Sequence, residues 1–345
     1  MLFRRGKQQS AVRPPIFEFW SWWQAMGAEQ LAAAIESGRA TEYAQEISSG
    51  GQAIDPSLEW ETSKGTTAKH ALCITSGGVA EFRPLAERWL RAAPASDATW
   101  EYHAARQADP SVLSSKLEWG EATLALADTR LQLTPKEKNW SIDVDVFHPL
   151  FPSIPAKSRQ QITFLVLDWL LGEDDVERWL GTVNALDIEP AAAVGLDALP
   201  QAIQEMADRL TPNWVLMRGQ NGDGKPMLAR ASRPLRWIDD PLLDLHSTID
   251  VRYAAARDDQ LPTPEDLDAL QRLEDDLEAT VGSRGRVLAI VTGGGWRTWH
   301  LYTDAEDQNS TDIVRRWVNS RSTSNMPITL EQKPDPSWKA IRRYR

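Results

Sequence analysis

The chain has 345 residues, with 38 Lys plus Arg against 49 Asp plus Glu, for a formal net charge of −11. This length suggests about two domains, each long enough to bury a core. Hydrophobic residues at 42% and charged residues at 25% exclude a fibrous or wholly disordered chain, and a single Cys excludes an intramolecular disulfide or a cysteine-rich zinc site.

In chain order, residues 1–15 read as a flexible basic tail carrying Arg4, Arg5, Lys7 and Arg13. Phe17 to Ile35 is predicted helical, with Trp20, Trp22 and Trp23 crowded at its start. An Arg-rich tail before such a helix suits a membrane surface, but the helix's acids and Ala-rich continuation favour docking on the protein's own core. Leu58–Glu61 and Lys69–Thr75 are predicted strands, and Cys73 between Leu72 and Ile74 reads as a small buried hydrophobe. Gly77-Gly78 leads into a helix from Ala80 to Ala92, with Leu85, Trp89 and Leu90 inward. Trp100–Arg106 is a strand, and Glu121–Leu133 holds one or two more. Ser141–Phe147 alternates, with Ile142, Val144 and Val146 on one face and Asp143 and Asp145 on the other. Pro155–Leu171 is a strongly apolar helix stopped by Gly172, Thr182–Ile188 a closing strand, and Leu196–Leu210 a helix. With residues 107–139 set aside as an insertion, the order is β-α-β-β-α-β.

The second half parses more cleanly. Asn213–Gly219 and Lys225–Ala231 form a hairpin, its Asn-Gly and Asp-Gly supplying the positive φ of a tight turn. Leu245 to Tyr253 alternates as a strand, and Thr263-Pro-Glu-Asp starts a helix with a cap, a first-turn proline and early acids. Leu267, Leu270, Leu273, Leu277 and Val281 stripe that helix, which ends at Gly282. Arg286–Val291 and Trp296–Thr303 are strands around Gly293-Gly-Gly295, followed by a helix from Asn309 to Ser320 and a short strand from Pro327 to Gln332. The expected fold class is therefore α+β, as two tandem α/β sandwich domains. Residues 16–210 form an acidic, Trp-rich domain, read as a divergent ferredoxin-like unit with an insertion. Residues 211–345 form a ferredoxin-like β-α-β-β-α-β domain preceded by a β-hairpin.

Several of these stretches resemble a known bacterial family. Asn213-Trp-Val-Leu, the Gly-Asp-Gly hairpin, Leu273-Glu-Asp-Asp-Leu277 and Gly293-Gly-Gly-Trp-Arg-Thr-Trp-His-Leu-Tyr302 resemble Domain of Unknown Function 695. Leu58-Glu-Trp-Glu61, Arg83-Pro-Leu-Ala-Glu-Arg-Trp89, Trp100-Glu-Tyr102, Asp143–Pro149 and Leu167–Gly181 resemble the uncharacterised region that accompanies that domain. The resemblance implies a ferredoxin-like C-terminal domain and carries no assigned activity.

Charge is uneven. From Pro212 onward there are 19 basic and 20 acidic side chains, which leaves a net of −10 on the residues before it. That field disfavours nucleic acid and would attract a basic protein partner. The longest apolar stretch, Phe164–Leu171, is interrupted by Asp168 and is far shorter than the ~20 residues that cross a bilayer. No apolar signal region follows the basic start, so a cytoplasmic protein without membrane contact is expected.

The candidate binding residues are the acidic cluster Asp168, Glu173, Asp174, Asp175 and Glu177, and the aromatic row Trp296, His300 and Tyr302 on one strand face. The cluster lacks the alternating spacing of a calcium loop, so protein docking or a solvated helix end explains it better than a metal. An open sheet face bearing aromatics is a docking surface, unless the hairpin or the first domain covers it. An alternative catalytic or metal set is Asp143, Asp145 and His148, in which Asp-x-Asp holds a metal and His148 serves as a base. Alternation explains both aspartates equally well. The histidines at 70, 103, 148, 246 and 300 show no metal-ligand spacing, and neither glycine cluster has nucleotide-binding spacing, so no cofactor is expected. These features favour a non-enzymatic binding or regulatory protein, an inhibitor or immunity-type partner. A hydrolase or transferase built on the carboxylate/His set is the alternative.

Overall fold

The computed structural model describes residues 14–253 and 257–345, so the expected basic tail lies outside the described residues except for its last two. The chain divides into two compact units after Arg106. The boundary expected between residues 210 and 211 thus falls inside the second unit.

The first unit begins with α1 (Pro15–Trp22), a π-helical turn and α2 (Ala28–Glu36). It continues through α3 (Ala44–Ile54), β1 (Glu59–Lys64), β2 (His70–Thr75), α4 (Arg83–Arg91) and β3 (Trp100–His103). The strands form one sheet in the order β1-β2-β3, with β1 antiparallel and β3 parallel to β2, and α4 is the crossover. The crowded tryptophans pack inward: Trp20, Trp23, Trp89 and Trp100 are nearly inaccessible. A buried indole N–H usually finds a partner, and three of these four do, whereas Trp89 Nε1 is buried without one. Trp20 Nε1 donates to the Trp89 carbonyl at 2.8 Å, Trp23 Nε1 to the Tyr102 hydroxyl at 2.9 Å and Trp100 Nε1 to the Ala28 carbonyl at 2.9 Å. The first helix therefore docks on its own core.

The second unit opens with a small hairpin, β4 (Lys116–Trp119) and β5 (Ala122–Ala125). A three-stranded sheet follows, from β6 (Arg130–Lys136), β7 (Ser141–Phe147) and, after α5 (Ala156–Leu171) and α6 (Glu173–Trp179), β8 (Leu180–Leu186). β6 is antiparallel and β8 parallel to β7. Ile142, Val144 and Val146 pack with Ile162, Val166 and Leu170 in its core, which α7 (Ala198–Arg209) helps to close.

Next comes a six-stranded antiparallel sheet. Its elements are β9 (Asn213–Gln220), β10 (Pro226–Arg233), β11 (Leu245–Arg252), α8 (Pro264–Val281), β12 (Gly285–Gly293), β13 (Trp296–Thr303), α9 (Gln308–Arg321) and β14 (Ile328–Pro334). The strand order is β14-β11-β13-β12-β10-β9. Thr263 caps α8, its hydroxyl accepting from the Asp266 amide at 3.2 Å. Ile249, Val251, Trp299 and Leu301 point to α8 and α9, and the same core holds Leu270, Leu277, Val314 and Trp317.

Two expectations are corrected. The first half is not one sheet with an insertion, because β1–β3 and β6–β8 are separate sheets. β7 pairs with β6, which lies wholly inside the stretch set aside, and not with the strand at Trp100. Alternation fixes which residues share a face but not which strand lies alongside. Nor does the hairpin cover a face of the sheet: it extends the edge beyond β12, and a helical turn over Lys339–Tyr344 lies on the His300 end, with Trp338 against Tyr302 and Tyr344 against His300 at ring separations of 5.3 and 5.8 Å.

Candidate anion-binding cavity

Within the second unit, the mouth of the β6–β8 sheet faces the loop leaving β10 and the segment after β14 across a cavity of about 640 Å³. The end of β6 contributes Lys136 and the turn after it Lys138 and Trp140, α6 contributes Glu177 and Arg178, and the end of β10 and the loop leaving it contribute Arg233 and Arg236. Arg342 and Arg345 complete the wall. The charged lining is thus seven cations against two acids, Asp143 and Glu177.

Local packing holds these groups in place. Trp140 sits at φ 54°, a left-handed conformation that costs a bulky residue about 1–2 kcal/mol, and its carbonyl accepts from Arg236 Nη2. The Arg236 guanidinium lies 4.0 Å from the Trp179 ring centre, and the residue is only 9% exposed. Burial pushes its pKa down, Arg178 adds to this, and Asp239 and Asp175 oppose it. Arg178 differs: burial alone would depress it, but Asp239 at 2.6 Å and Asp175 pull it up. Trp237 Nε1 donates to Glu177 Oε1 at 2.7 Å, which braces the β10 exit against α6.

Two of the seven cations are therefore matched, Arg178 by Asp175 and Asp239, and Lys136 by Asp143 at 3.4 Å. Among the described residues no carboxylate lies within ion-pair distance of Lys138, Arg233, Arg236, Arg342 or Arg345. The Arg233 Nε is buried without a partner, and its Nη2 reaches only the Met217 sulfur at 3.7 Å. Cations gathered around one hollow repel one another and lower the free energy of any anion that enters. Guanidinium forks match the oxygens of phosphate in particular.

Of the residues singled out from sequence, Asp143 and Glu177 line this cavity, and Asp175 stands behind it as the partner of Arg178. Glu173 and Asp174 lie in the first turn of α6, while Asp168 borders a shallow hollow beside Phe164 on α5. Asp143, Asp145 and His148 do not form a set. Asp143 Oδ1 accepts from the Thr182 amide and Asp145 Oδ1 from Asn184, both at 2.8 Å, so the aspartates clamp β7 to β8. Gly181 leaves room for this clamp, since a Cβ there would stand 2.3 Å from Asp143 Oδ1 and force that carboxylate to shift. Both His148 ring nitrogens are occupied, Nδ1 accepting from the Leu150 amide and Nε2 facing the Ala125 carbonyl, each at 3.1 Å. Burial pushes its pKa down. Among the described residues no group of three or more His, Cys, Asp or Glu is placed to hold a metal ion.

The aromatic row divides. Trp296 is 39% exposed beneath Arg252, whereas His300 and Tyr302 are buried. His300 Nδ1 meets His246 Nε2 at 3.0 Å, and the Tyr302 hydroxyl donates to Asp335 Oδ2 at 2.6 Å. No helix among the described residues is long and apolar enough to cross a membrane.

Residues 213–344 match the family of unknown function DUF695. No curated protein and no solved structure matches the chain. The DUF695 region supplies Arg233, Arg236 and Arg342 to the cavity, and the β6–β8 layer before it supplies the opposite wall. Sequence reading missed this site because its cations are scattered over four separate stretches, and counting charge by halves cancels them. The available signal was local: Arg233-Pro-Leu-Arg-Trp237 and Arg342-Arg-Tyr-Arg345 are basic, aromatic stretches in an acidic chain.

Proposed function

We propose that this protein is a binding or regulatory module whose ligand is a small, multiply charged anion bearing phosphate, held in the cavity of the second unit. The observation that carries this reading is the convergence of five cations without carboxylate partners on one hollow of about 640 Å³, in a chain of net charge −11. Such a volume suits a metabolite-sized ligand. The binding role expected of the acidic cluster moves to this cavity, because Asp175 and Glu177 are engaged in holding Arg178 and Trp237. The scaffold on the DUF695 side is read as a ferredoxin-like split sheet extended by the β9–β10 hairpin. Its support is the chain order β11-α8-β12-β13-α9-β14 combined with the sheet order β14-β11-β13-β12.

The test is calorimetric titration of the full chain with inorganic pyrophosphate at low salt, alongside the Arg236→Gln variant. Binding is expected in the wild type and a loss of ~10-fold or more in the variant, the cost of removing one charge-assisted contact. No heat of binding with pyrophosphate would overturn the proposal. The hydrolase or transferase reading keeps one supporting observation, the position of Asp143 on the cavity wall.

A further inference from the structure

Two of the five unpaired cations come from the segment after β14, and that segment has two dissimilar sides. Its inner side is apolar and packed: Trp338 and Ile341 are essentially inaccessible and Tyr344 is 7% exposed. Its outer side carries Arg342 and Arg345, both exposed at the cavity rim.

The two ends are held very differently. Asp335 pins the start: its amide donates to the Asp244 carbonyl at 2.7 Å, and its carboxylate accepts from the Lys339 and Ala340 amides and the Tyr302 hydroxyl. Trp338 Nε1 adds a bond to the Leu243 carbonyl at 2.8 Å. Beyond Ile341 the attachment is the Tyr344 ring beside His300, and among the described residues no side-chain hydrogen bond ties Arg342–Arg345 to the sheet. Desolvation opposes closure of this far end: burial is the largest effect on Arg345 and lowers its pKa, Arg342 adds to it more weakly, and Glu177, with a smaller part from Tyr302, pulls the other way.

Resting on the anion-binding reading above, we infer that the Trp338–Arg345 segment is a ligand-dependent clasp. An anion in the cavity draws Arg342 and Arg345 toward the β6–β8 wall and seats Tyr344 on His300. In an empty cavity Glu177 alone among the lining acids offsets the cost of desolvating Arg345, and the far end lifts back into water about the Asp335–Trp338 anchor. Ligand occupancy is thereby reported at the surface through the order of this segment, which is the property a regulatory module needs. The site is complete only with the clasp closed, so its arginines contribute affinity as well as the signal.

The experiment is hydrogen exchange and calorimetry on the full chain with inorganic pyrophosphate as the probe. Exchange at Ile341 to Tyr344 is expected to slow ~10-fold at saturating pyrophosphate, with Trp338–Lys339 changing little. Arg342→Gln and Arg345→Gln, both at exposed positions, are each expected to weaken binding ~10-fold and to reduce that protection. Pyrophosphate binding that is lost in Arg236→Gln but unchanged in both clasp variants, with unchanged exchange over the segment, overturns the clasp and leaves the anion site standing. An absence of binding in the wild type overturns the anion site, and the clasp falls with it.

Discussion

The buried His246–His300 pair makes the second unit sensitive to mild acid. Desolvation lowers His300 to about 3, with His246 and Arg343 acting in the same direction. His246 is lowered as well, first by desolvation and then by Lys333, against Asp335 and Glu331. An unfolded histidine titrates near 6.5. The unfolded chain therefore takes up a proton below about pH 6.5 that the folded chain refuses until about pH 3, so stability present at pH 8 is lost as pH falls through this window. For His300 alone the loss between pH 8 and pH 5 is about 2 kcal/mol. Carboxylates contribute little over this interval, because their unfolded values lie near 4. The assay is urea unfolding of wild type and His300→Gln at pH 8 and pH 5, following near-ultraviolet circular dichroism. The variant loses some stability at pH 8, where its packing is imperfect, but its drop between the two pH values should be smaller than the wild-type drop by about 2 kcal/mol. Equal drops would refute the reasoning, since His300 would then be titrating freely in the folded state.

The other predictions concern packing and buried charge. Glu274, 5% exposed, receives Trp299 Nε1 at 3.2 Å and holds Arg230 and Arg297. Glu274→Ala leaves Arg297 buried without its acid and should cost about 3–5 kcal/mol by urea unfolding, whereas a cost under about 1 kcal/mol would count against that network. On α3, Gly50→Ala places a Cβ 2.8 Å from the buried Phe19 ring, while Gly51→Ala meets nothing within 4 Å. The first should destabilise by about 1 kcal/mol, overpacking outweighing helix propensity, and the second should stabilise by about 0.5–1 kcal/mol; thermal melts that move together would contradict this.

The same helix shows where sequence reading stops. Ser48-Ser-Gly-Gly51 argues against a helix on propensity, yet α3 forms, because Ile47 is fully buried and Gly50 lets the backbone approach Phe19. Tertiary packing outweighs a local preference of about 1 kcal/mol per glycine. By contrast, β11 to β14 were legible because each signal is local: a Thr263 cap, strict alternation in Leu245–Tyr253, glycines at the β12–β13 turn. Strand partners in the first half were not, since β7 offers the same apolar face to any neighbour. The cavity was illegible for a related reason. Lys138, Arg178, Arg236 and Arg345 are distant in sequence, and only the pairing of β7 with β8 and the path out of β10 bring them to one hollow.

Net charge and local charge make opposite demands on a phosphate ligand, and distance decides between them. At −11 the whole molecule repels an approaching anion, but that repulsion acts across tens of ångströms and is screened beyond about 8 Å at physiological ionic strength. Inside the cavity the ligand meets five unmatched cations at contact distance, some of them on low-dielectric walls such as the Trp179 ring beneath Arg236. There each pair is worth several times its value in bulk water. The attractive part should therefore dominate the equilibrium, and added salt should weaken pyrophosphate binding while the far acids slow its approach. Calorimetry at about 50 and 500 mM salt separates the two, with the Debye length falling from above 10 Å to near 4 Å. A dissociation constant that falls with salt would mean that the global field governs and that the cavity is not where the anion sits. One that rises places the ligand among the arginines, where the acidic surface acts on the rate of entry and hardly on the affinity.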